Sequence, residues 1–366
     1  MTYSSTLEIK KIKVVIVDDS AVIRGLILNS LDSHEQIQIL GVAVNGQELL
    51  NLLATIQQPD VILLDIVMPI LDGLETLPLI VENFPNVKII IVSTQAKFFF
   101  NLTLKAMKLG ACDYLTKPSC TKGLLNNENF RQELIEKIIL HGSSSLFFKK
   151  IRSDISIPLK ETDVKKTASD LKGIKLRPWP LNPFEIVAIG ASTGGPQVLL
   201  KIFDNFPLNF QYPILIVQHM PAQFINVFAK YLQKKSGIKV YEAIDGQEIL
   251  PGCIYLASGN YHMVVETTPK LHIRIVDSPP ENFYRPSIDI LYKSLAPLKN
   301  VLAIILTGMG CDGLKGCAEI VKKGGTVIVQ DPQLSVIAEM PESIVAENLC
   351  SAIETPQGIR KILQQL

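Results

Sequence analysis

Short apolar runs that alternate with amphipathic stretches constrain this chain more than any other feature. From Ile12 to about Leu140, the runs Val14–Val17, Ile37–Val44, Val61–Leu64, Val87–Val92 and Tyr114–Leu115 read as strands. Helical periodicity lies between and after them, near Ala21–Leu31, Gln47–Ile56, Leu74–Glu82, Phe98–Leu109 and Phe130–Leu140. Runs that are apolar at nearly every position suit strands buried on both faces, so a series of βα units predicts a doubly wound parallel sheet with helices on either side. In such a sheet the residues just past each strand line the ligand crevice and decide what the domain can do.

Those residues are Asp18 and Asp19 after the first strand, Asp65 after the third, Ser93 after the fourth, and Lys117 with Pro118 after the fifth. Three carboxylates converging on one crevice raise each other's pKa unless a cation intervenes. A hard divalent ion such as Mg²⁺, taking oxygen ligands, resolves the conflict, and Lys117 adds positive charge. The set suits the acceptance of a phosphoryl group on a carboxylate, with Asp65, alone on the central strand, as the attacking group. Taken singly, each acid serves equally well as a helix cap or a solvated strand end. The segments VVIVDDS, LLDIVMPILDGLE, VST and DYLTKP, in that order, resemble the receiver domain of two-component response regulators. The resemblance implies a flavodoxin-like fold with Asp65 as phosphoacceptor. It implies Mg²⁺ held by Asp18, Asp19, Asp65 and the carbonyl of Val67, with Ser93 and Lys117 contacting the phosphoryl group. It also makes Tyr114 the aromatic whose rotamer follows phosphorylation. Phe98, Phe99 and Phe100 are consecutive, and one helix cannot turn three neighbours inward. At least one is expected to be exposed or covered, with the second domain as the expected cover.

Between about Gly142 and Asn182 the periodicity fades. Nine basic residues there (Lys149, Lys150, Arg152, Lys160, Lys165, Lys166, Lys172, Lys175, Arg177) face four acidic ones (Asp154, Glu161, Asp163, Asp170). A solvated linker is the simplest reading, a basic tether for an acidic partner the sharper one. Pro178, Pro180 and Pro183 stiffen the approach to the second half of the chain. The expected division is residues 1–142, a linker at 143–182, and a second domain at 183–366, since 366 residues exceed one domain of about 100–200.

The second half opens on EIVAIGASTGGP, a buried strand, a glycine-rich turn and a helix that tolerates Pro196 in its first turn. Gly190, Ser192 and Gly194 spell G-x-S-x-G, a spacing that can present a serine oxygen clear of a sheet. Alone, that pattern serves as well to cradle a phosphate or to make a turn. The next apolar run, PILIVQHM, ends at His219, and VLAIILTGMGCDG ends in a glycine loop carrying Asp312. Three βα-type loops thus offer a serine, a histidine and an aspartate on one rim. Serine needs an imidazole to take its proton, and the imidazole needs a carboxylate to fix its tautomer. Singly, His219 could be structural and Asp312 could cap the helix near Leu314. His262 and Asp289 rank lower because their segments lack glycines. The order Ser, His, Asp differs from that of α/β-hydrolases, so G-x-S-x-G is no evidence for that fold. The absence of G-K-[ST] after the glycines speaks against nucleotide binding in a P-loop.

IGASTGGP, VQHMP, YRPSID, ILTGMGCDG and VIVQDP, in that order, resemble the CheB family of chemotaxis protein-glutamate methylesterases. The resemblance implies a Rossmann-like domain with Ser192 as nucleophile, His219 as general base, Asp312 as orienting carboxylate and the Met309 backbone N–H on the oxyanion. It implies hydrolysis of glutamate γ-methyl esters on chemoreceptors, deamidation of receptor glutamines, a chemotaxis-type histidine kinase as phosphodonor, and a receiver that covers the catalytic rim until phosphorylated. A catalytically inactive, phosphorylation-dependent scaffold is the alternative. Two segments depart from the family: Ser258 in LASGN replaces a usual proline, and Ala338 and Glu339 replace a common tyrosine and glycine. Neither is expected to touch the triad; the second is expected to affect substrate fit or the interface with the receiver.

Composition narrows the rest. With 36 basic and 35 acidic residues there is no general field to draw in nucleic acid or anionic lipid. The six cysteines (Cys112, Cys120, Cys253, Cys311, Cys317, Cys350) show no C-x-x-C pair, which fits free thiols and no structural zinc. No run approaches the ~18 apolar residues of a membrane span, and no signal-peptide core opens the chain, so a cytoplasmic monomer is expected, with no cofactor in the second domain.

Overall fold

The computed structural model describes residues 11–32, 34–93, 97–118, 128–154, 175–180, 183–268, 270–281, 284–298 and 300–366, and for residues 97–101, 104, 129 and 143–154 it describes the backbone alone. The Phe98–Phe100 side chains and their expected docking therefore lie outside the described residues. Two compact units form, Met1–Asp163 and Val164–Leu366.

The first unit alternates β1 (Ile12–Val17), α1 (Ala21–Leu31), β2 (Ile37–Ala43), α2 (Gly46–Leu53), β3 (Val61–Leu64), α3 (Gly73–Asn83), β4 (Lys88–Ser93), α4 (Lys97–Lys108), β5 (Asp113–Thr116) and α5 (Glu128–Asp154). All strands pair in parallel in the order β2-β1-β3-β4-β5. The pleat sends Val15 and Val17 of β1 to a core with Leu49, Leu77 and Ala106, while Val14 and Ile16 face Ile23, Ile27, Leu134 and Ile138. Apolar side chains on both faces are why these strands read as continuous runs. Ser20, Asn45 and Asp72 cap the helices that follow β1, β2 and β3, each accepting a backbone N–H of the first turn. Strand order reverses between β1 and β3, which opens the crevice where the residues past those strands meet. The last helix differs from expectation: it continues to Asp154, beyond Gly142, where the amphipathic pattern fades.

The second unit contains β6 (Ile186–Ala191), α6 (Gly195–Ile202), β7 (Ile214–Gln218), α7 (Ala222–Ser236), β8 (Lys239–Glu242), β9 (Cys253–Leu256), β10 (His262–Glu266), β11 (His272–Val276), α8 (Ile288–Leu295), β12 (Val301–Ile305), α9 (Leu314–Lys322), β13 (Thr326–Gln330), α10 (Glu339–Ala346), β14 (Ala352–Glu354) and α11 (Pro356–Gln365). Its seven parallel strands run β14-β13-β12-β6-β7-β9-β8, with the reversal between β6 and β12. β11 does not join that sheet but forms an antiparallel hairpin with β10. Both units are α/β and doubly wound. Lys175–Pro180, part of the expected linker, is fastened to the second unit: Arg177 N–H donates to Cys350 O (2.9 Å), and Trp179 meets Phe184 edge to face at 6.0 Å. Among the described residues, no helix is long and apolar enough to cross a membrane.

Candidate active site

At the reversal in the first unit, Asp18, Asp19 and Asp65 each offer an oxygen within 4.8 Å of the others. The Lys117 ammonium lies between two of them, 2.7 Å from Asp18 Oδ2 and 2.8 Å from Asp65 Oδ2. Burial pushes the Asp65 carboxyl up to about 6 against the pull of Lys117, and the neighbouring Asp18 adds to the push. That crowding of carboxylates, all oxygen donors, fits a hard divalent cation, whose charge would relieve it. Ser93 is buried at the end of β4, its Oγ 3.2 Å from Thr103 Oγ1. Tyr114 sits on β5 with Lys137 Nζ 5.7 Å from its ring centre.

At the reversal in the second unit, β6 delivers Ser192, β7 delivers His219 and the loop after β12 delivers Asp312. The corner at Ser192 is held by its own backbone: Ser192 N–H donates to Thr307 O (3.1 Å) and Gly195 N–H to Ser192 O (2.8 Å). Gly194 then starts α6 at φ 80°, a left-handed conformation that disfavours any other residue. Gly308 runs so close beneath the corner that a Cβ there would lie 2.7 Å from Ser192 Cβ and collide with Met340 Sδ. The Gln218 amide bridges the next loop, donating to both Ser192 O (2.8 Å) and His219 O (3.0 Å).

His219 and Asp312 meet directly, with Nε2 3.0 Å from Asp312 Oδ2. The same carboxylate accepts Ile288 N–H (2.7 Å), Asp289 N–H (3.1 Å) and Ser287 Oγ–H (2.8 Å), so it also caps α8. Burial alone would raise this carboxyl, but the His219 bond and the helix N–H groups outweigh it and hold it below the usual range. An ionised Asp312 can only accept, so the proton of the neutral imidazole sits on Nε2 and points at the carboxylate, which leaves Nδ1 as the bare, basic nitrogen. Nδ1 is buried and has no hydrogen-bond partner among the described residues. Tyr284 stacks on the imidazole at 3.9 Å and 8°, fixing the ring from its face. Ser192 Oγ is not hydrogen-bonded to His219, and apo sites often hold such pairs loosely. The Met309 N–H also has no partner among the described residues.

The two lower-ranked candidates serve the scaffold. His262 Nδ1 accepts Ser287 N–H (3.1 Å), its Nε2 faces Pro279 O (3.1 Å), and Asp289 accepts Gly316 N–H (2.7 Å) at the start of α9. Sequence reasoning missed Gln218, Tyr284 and Ser287. Two of them sit inside YRPSID and the third directly precedes His219, so proximity to the family-like motifs was the available signal. Of the two departures, Ser258 Oγ donates to Glu242 Oε1 (3.0 Å). Glu339 reaches further than expected: its Oε2 accepts Gly310 N–H at 2.7 Å, on the loop that carries Met309 and Asp312.

Family models match in two places: a response regulator receiver domain over residues 14–127 and a CheB methylesterase over residues 187–363. The protein-glutamate methylesterase/protein-glutamine glutaminase of Azospirillum brasilense is 37% identical over 354 residues, covering 93% of this chain and 89% of that relative. The protein of the same description from Trichodesmium erythraeum is 39% identical over 350 residues, covering 94% and 95%. The crystal structure of the Thermotoga maritima CheB methylesterase catalytic domain is 37% identical and covers 50% of this chain and 99% of its own, with a TM-score of 0.49. Matched nearly end to end by relatives that share more than a third of its residues, the chain belongs to the CheB family, in which a receiver domain precedes a protein-glutamate methylesterase/protein-glutamine glutaminase domain.

Proposed function

We propose that the chain is a phosphorylation-activated serine esterase that hydrolyses glutamate γ-methyl esters on chemoreceptors and deamidates receptor glutamines. Ser192 Oγ attacks the ester carbonyl while His219 Nδ1 takes its proton, and the Met309 N–H stabilises the oxyanion. The imidazolium formed keeps its Nε2–H on Asp312. Collapse breaks the C–O bond, the Nδ1 proton passes to the leaving methoxide as methanol, and an acyl-enzyme remains. Water, deprotonated by the same nitrogen, then releases the glutamate and restores Ser192; with a glutamine substrate the leaving group is ammonia. The observation that carries this reading is the His219–Asp312 bond, which leaves a buried basic nitrogen, without a partner among the described residues, on the rim where β6 delivers Ser192.

Activation works through Asp65, which accepts a phosphoryl group from a chemotaxis-type histidine kinase, with Ser93 and Lys117 contacting it. Asp18, Asp19 and Asp65 would hold Mg²⁺, which when bound supplies charge neutralisation for the transferring oxygens. The phosphoryl group has to favour the active state by a few kcal/mol to shift a mostly inactive population. Residues 1–142 act as the receiver, 143–182 as the linker and 183–366 as the catalytic domain of a cytoplasmic monomer. Methanol release from methylated receptor fragments tests the reading. Ser192→Ala should abolish release, and acetyl phosphate should stimulate it only when Asp65 is intact. A wild-type protein that releases no methanol under either condition is a scaffold, and the proposal fails.

A further inference from the structure

The loop from Thr307 to Asp312 is gripped by the segment that leads into α10. Gly308 N–H donates to Ile337 O (3.0 Å), and Gly308 O accepts Met340 N–H (3.1 Å). The peptide between Gly308 and Met309 is thus held by its carbonyl, and in a trans peptide the Met309 N–H points the opposite way. The next peptide, between Met309 and Gly310, is held at both edges. Its carbonyl accepts the Tyr284 hydroxyl at 3.4 Å, a long contact, while its N–H donates to the Glu339 carboxylate at 2.7 Å. A short bond to an ionised acceptor is the stronger of the two. Glycines on both sides of Met309 would otherwise let these planes swing. Glu339 and Met340, adjacent in sequence, therefore grip consecutive peptides of one loop.

We propose that Glu339 is a positioning residue for ester hydrolysis: by pinning the Met309–Gly310 peptide it holds the Met309 N–H in the direction that meets the oxyanion. The inference rests on the esterase reading above. It also gives a role to a position where the family commonly carries glycine, which has no side chain to make this bond. The neighbouring Tyr284 touches both the pinned peptide and the His219 ring, so oxyanion donor and base share one frame.

The test compares Glu339→Ala and Glu339→Gln with the wild-type full chain, measuring kcat and KM for methanol release from methylated receptor fragments with phosphodonor present, and the unfolding midpoint of each. Removing an oxyanion donor outright costs about 10²–10³ in kcat, so a donor that is loosened rather than lost should cost about tenfold. The alanine variant should show that fall with KM unchanged. The glutamine variant, which keeps an acceptor oxygen, should stay within about threefold of wild type, since a neutral acceptor makes a weaker bond than a charged one. Equal losses in both variants, a wild-type kcat in Glu339→Ala, or a loss that tracks a lowered unfolding midpoint overturns the clamp while wild-type turnover upholds the esterase. Absence of wild-type turnover overturns both.

Discussion

Replacing Asp312 by asparagine separates the electrostatic from the structural role of its carboxylate. Oδ1 accepts Ser287 Oγ–H (2.8 Å) and Asp289 N–H (3.1 Å), and Oδ2 accepts His219 Nε2–H (3.0 Å) and Ile288 N–H (2.7 Å). Asparagine offers one acceptor oxygen and one NH₂, so two of these four donors meet a nitrogen. With NH₂ at the Oδ2 position, the Ile288 N–H is opposed at the shortest of the four distances. With NH₂ at the Oδ1 position, the Ser287 hydroxyl rotates to accept, and only the Asp289 N–H is opposed. The amide therefore settles with its oxygen toward His219 and Ile288. One buried N–H left unpaired costs about 1–3 kcal/mol, and losing the negative charge at the α8 start costs about 0.3–2 kcal/mol more, giving roughly 1–5 kcal/mol in all. The imidazole keeps its tautomer but loses the countercharge of its protonated form, and kcat should fall by about 10³. Urea denaturation and methanol release read the two effects. Asp289→Asn is the contrast: burial already raises the pKa of that carboxyl and an amide oxygen can still cap Gly316, so kcat should not change. An Asp312→Asn protein within about tenfold of wild-type kcat would refute the assigned role of the carboxylate.

The geometry carries four further expected outcomes. His141, buried with its Nε2 3.1 Å from Asp113 Oδ2, has its pKa raised to about 9 because attraction and hydrogen bonds to Cys112 and Asp113 overcome the cost of burial. Its contribution to receiver stability is fully present below about pH 6.5 and is lost as pH rises through about 9, so denaturation midpoints should fall between these values in wild type and much less in His141→Ala. The Asp65 carboxyl, pushed up to about 6, costs stability as pH rises from about 4 to about 6, a cost Asp65→Asn should remove. Added Mg²⁺ should raise the unfolding temperature of the wild-type receiver at neutral pH, with no such rise in Asp65→Asn. Gly308→Ala should lower activity and destabilise by about 1–3 kcal/mol, because the new methyl meets Met340 Sδ and Ser192 Cβ; an alanine variant with wild-type kcat would show that the corner has room to spare.

Strands buried on both faces were the most legible elements, because a continuous apolar run such as Val61–Leu64 leaves little choice of boundary. β8 and β14 lie at the edges of the sheet and are partly exposed, and β10 belongs to a separate hairpin, so their composition carries no comparable signal. The extension of α5 to Asp154 was hidden for a related reason: past Gly142 a basic, polar composition gives no amphipathic stripe to read. At the site, Ser192, His219 and Asp312 were legible because each follows a strand into a turn or glycine-rich loop. Which imidazole nitrogen faces the carboxylate was not, since that depends on the approach of three separate loops. Glu339 shows the same limit. Its departure from the family was visible, but its bond to Gly310 arises from packing between segments 29 residues apart.

The carboxylate of Asp312 secures the first turn of α8, whereas Ser192 Oγ takes part in no hydrogen bond among the described residues. Mutational drift in a descendant that had lost its chemistry would therefore treat the two unequally: the acid would persist because folding demands it, and the alcohol could vanish unnoticed. In a set of such proteins, position 192 rather than position 312 is where abandonment of catalysis would first be written.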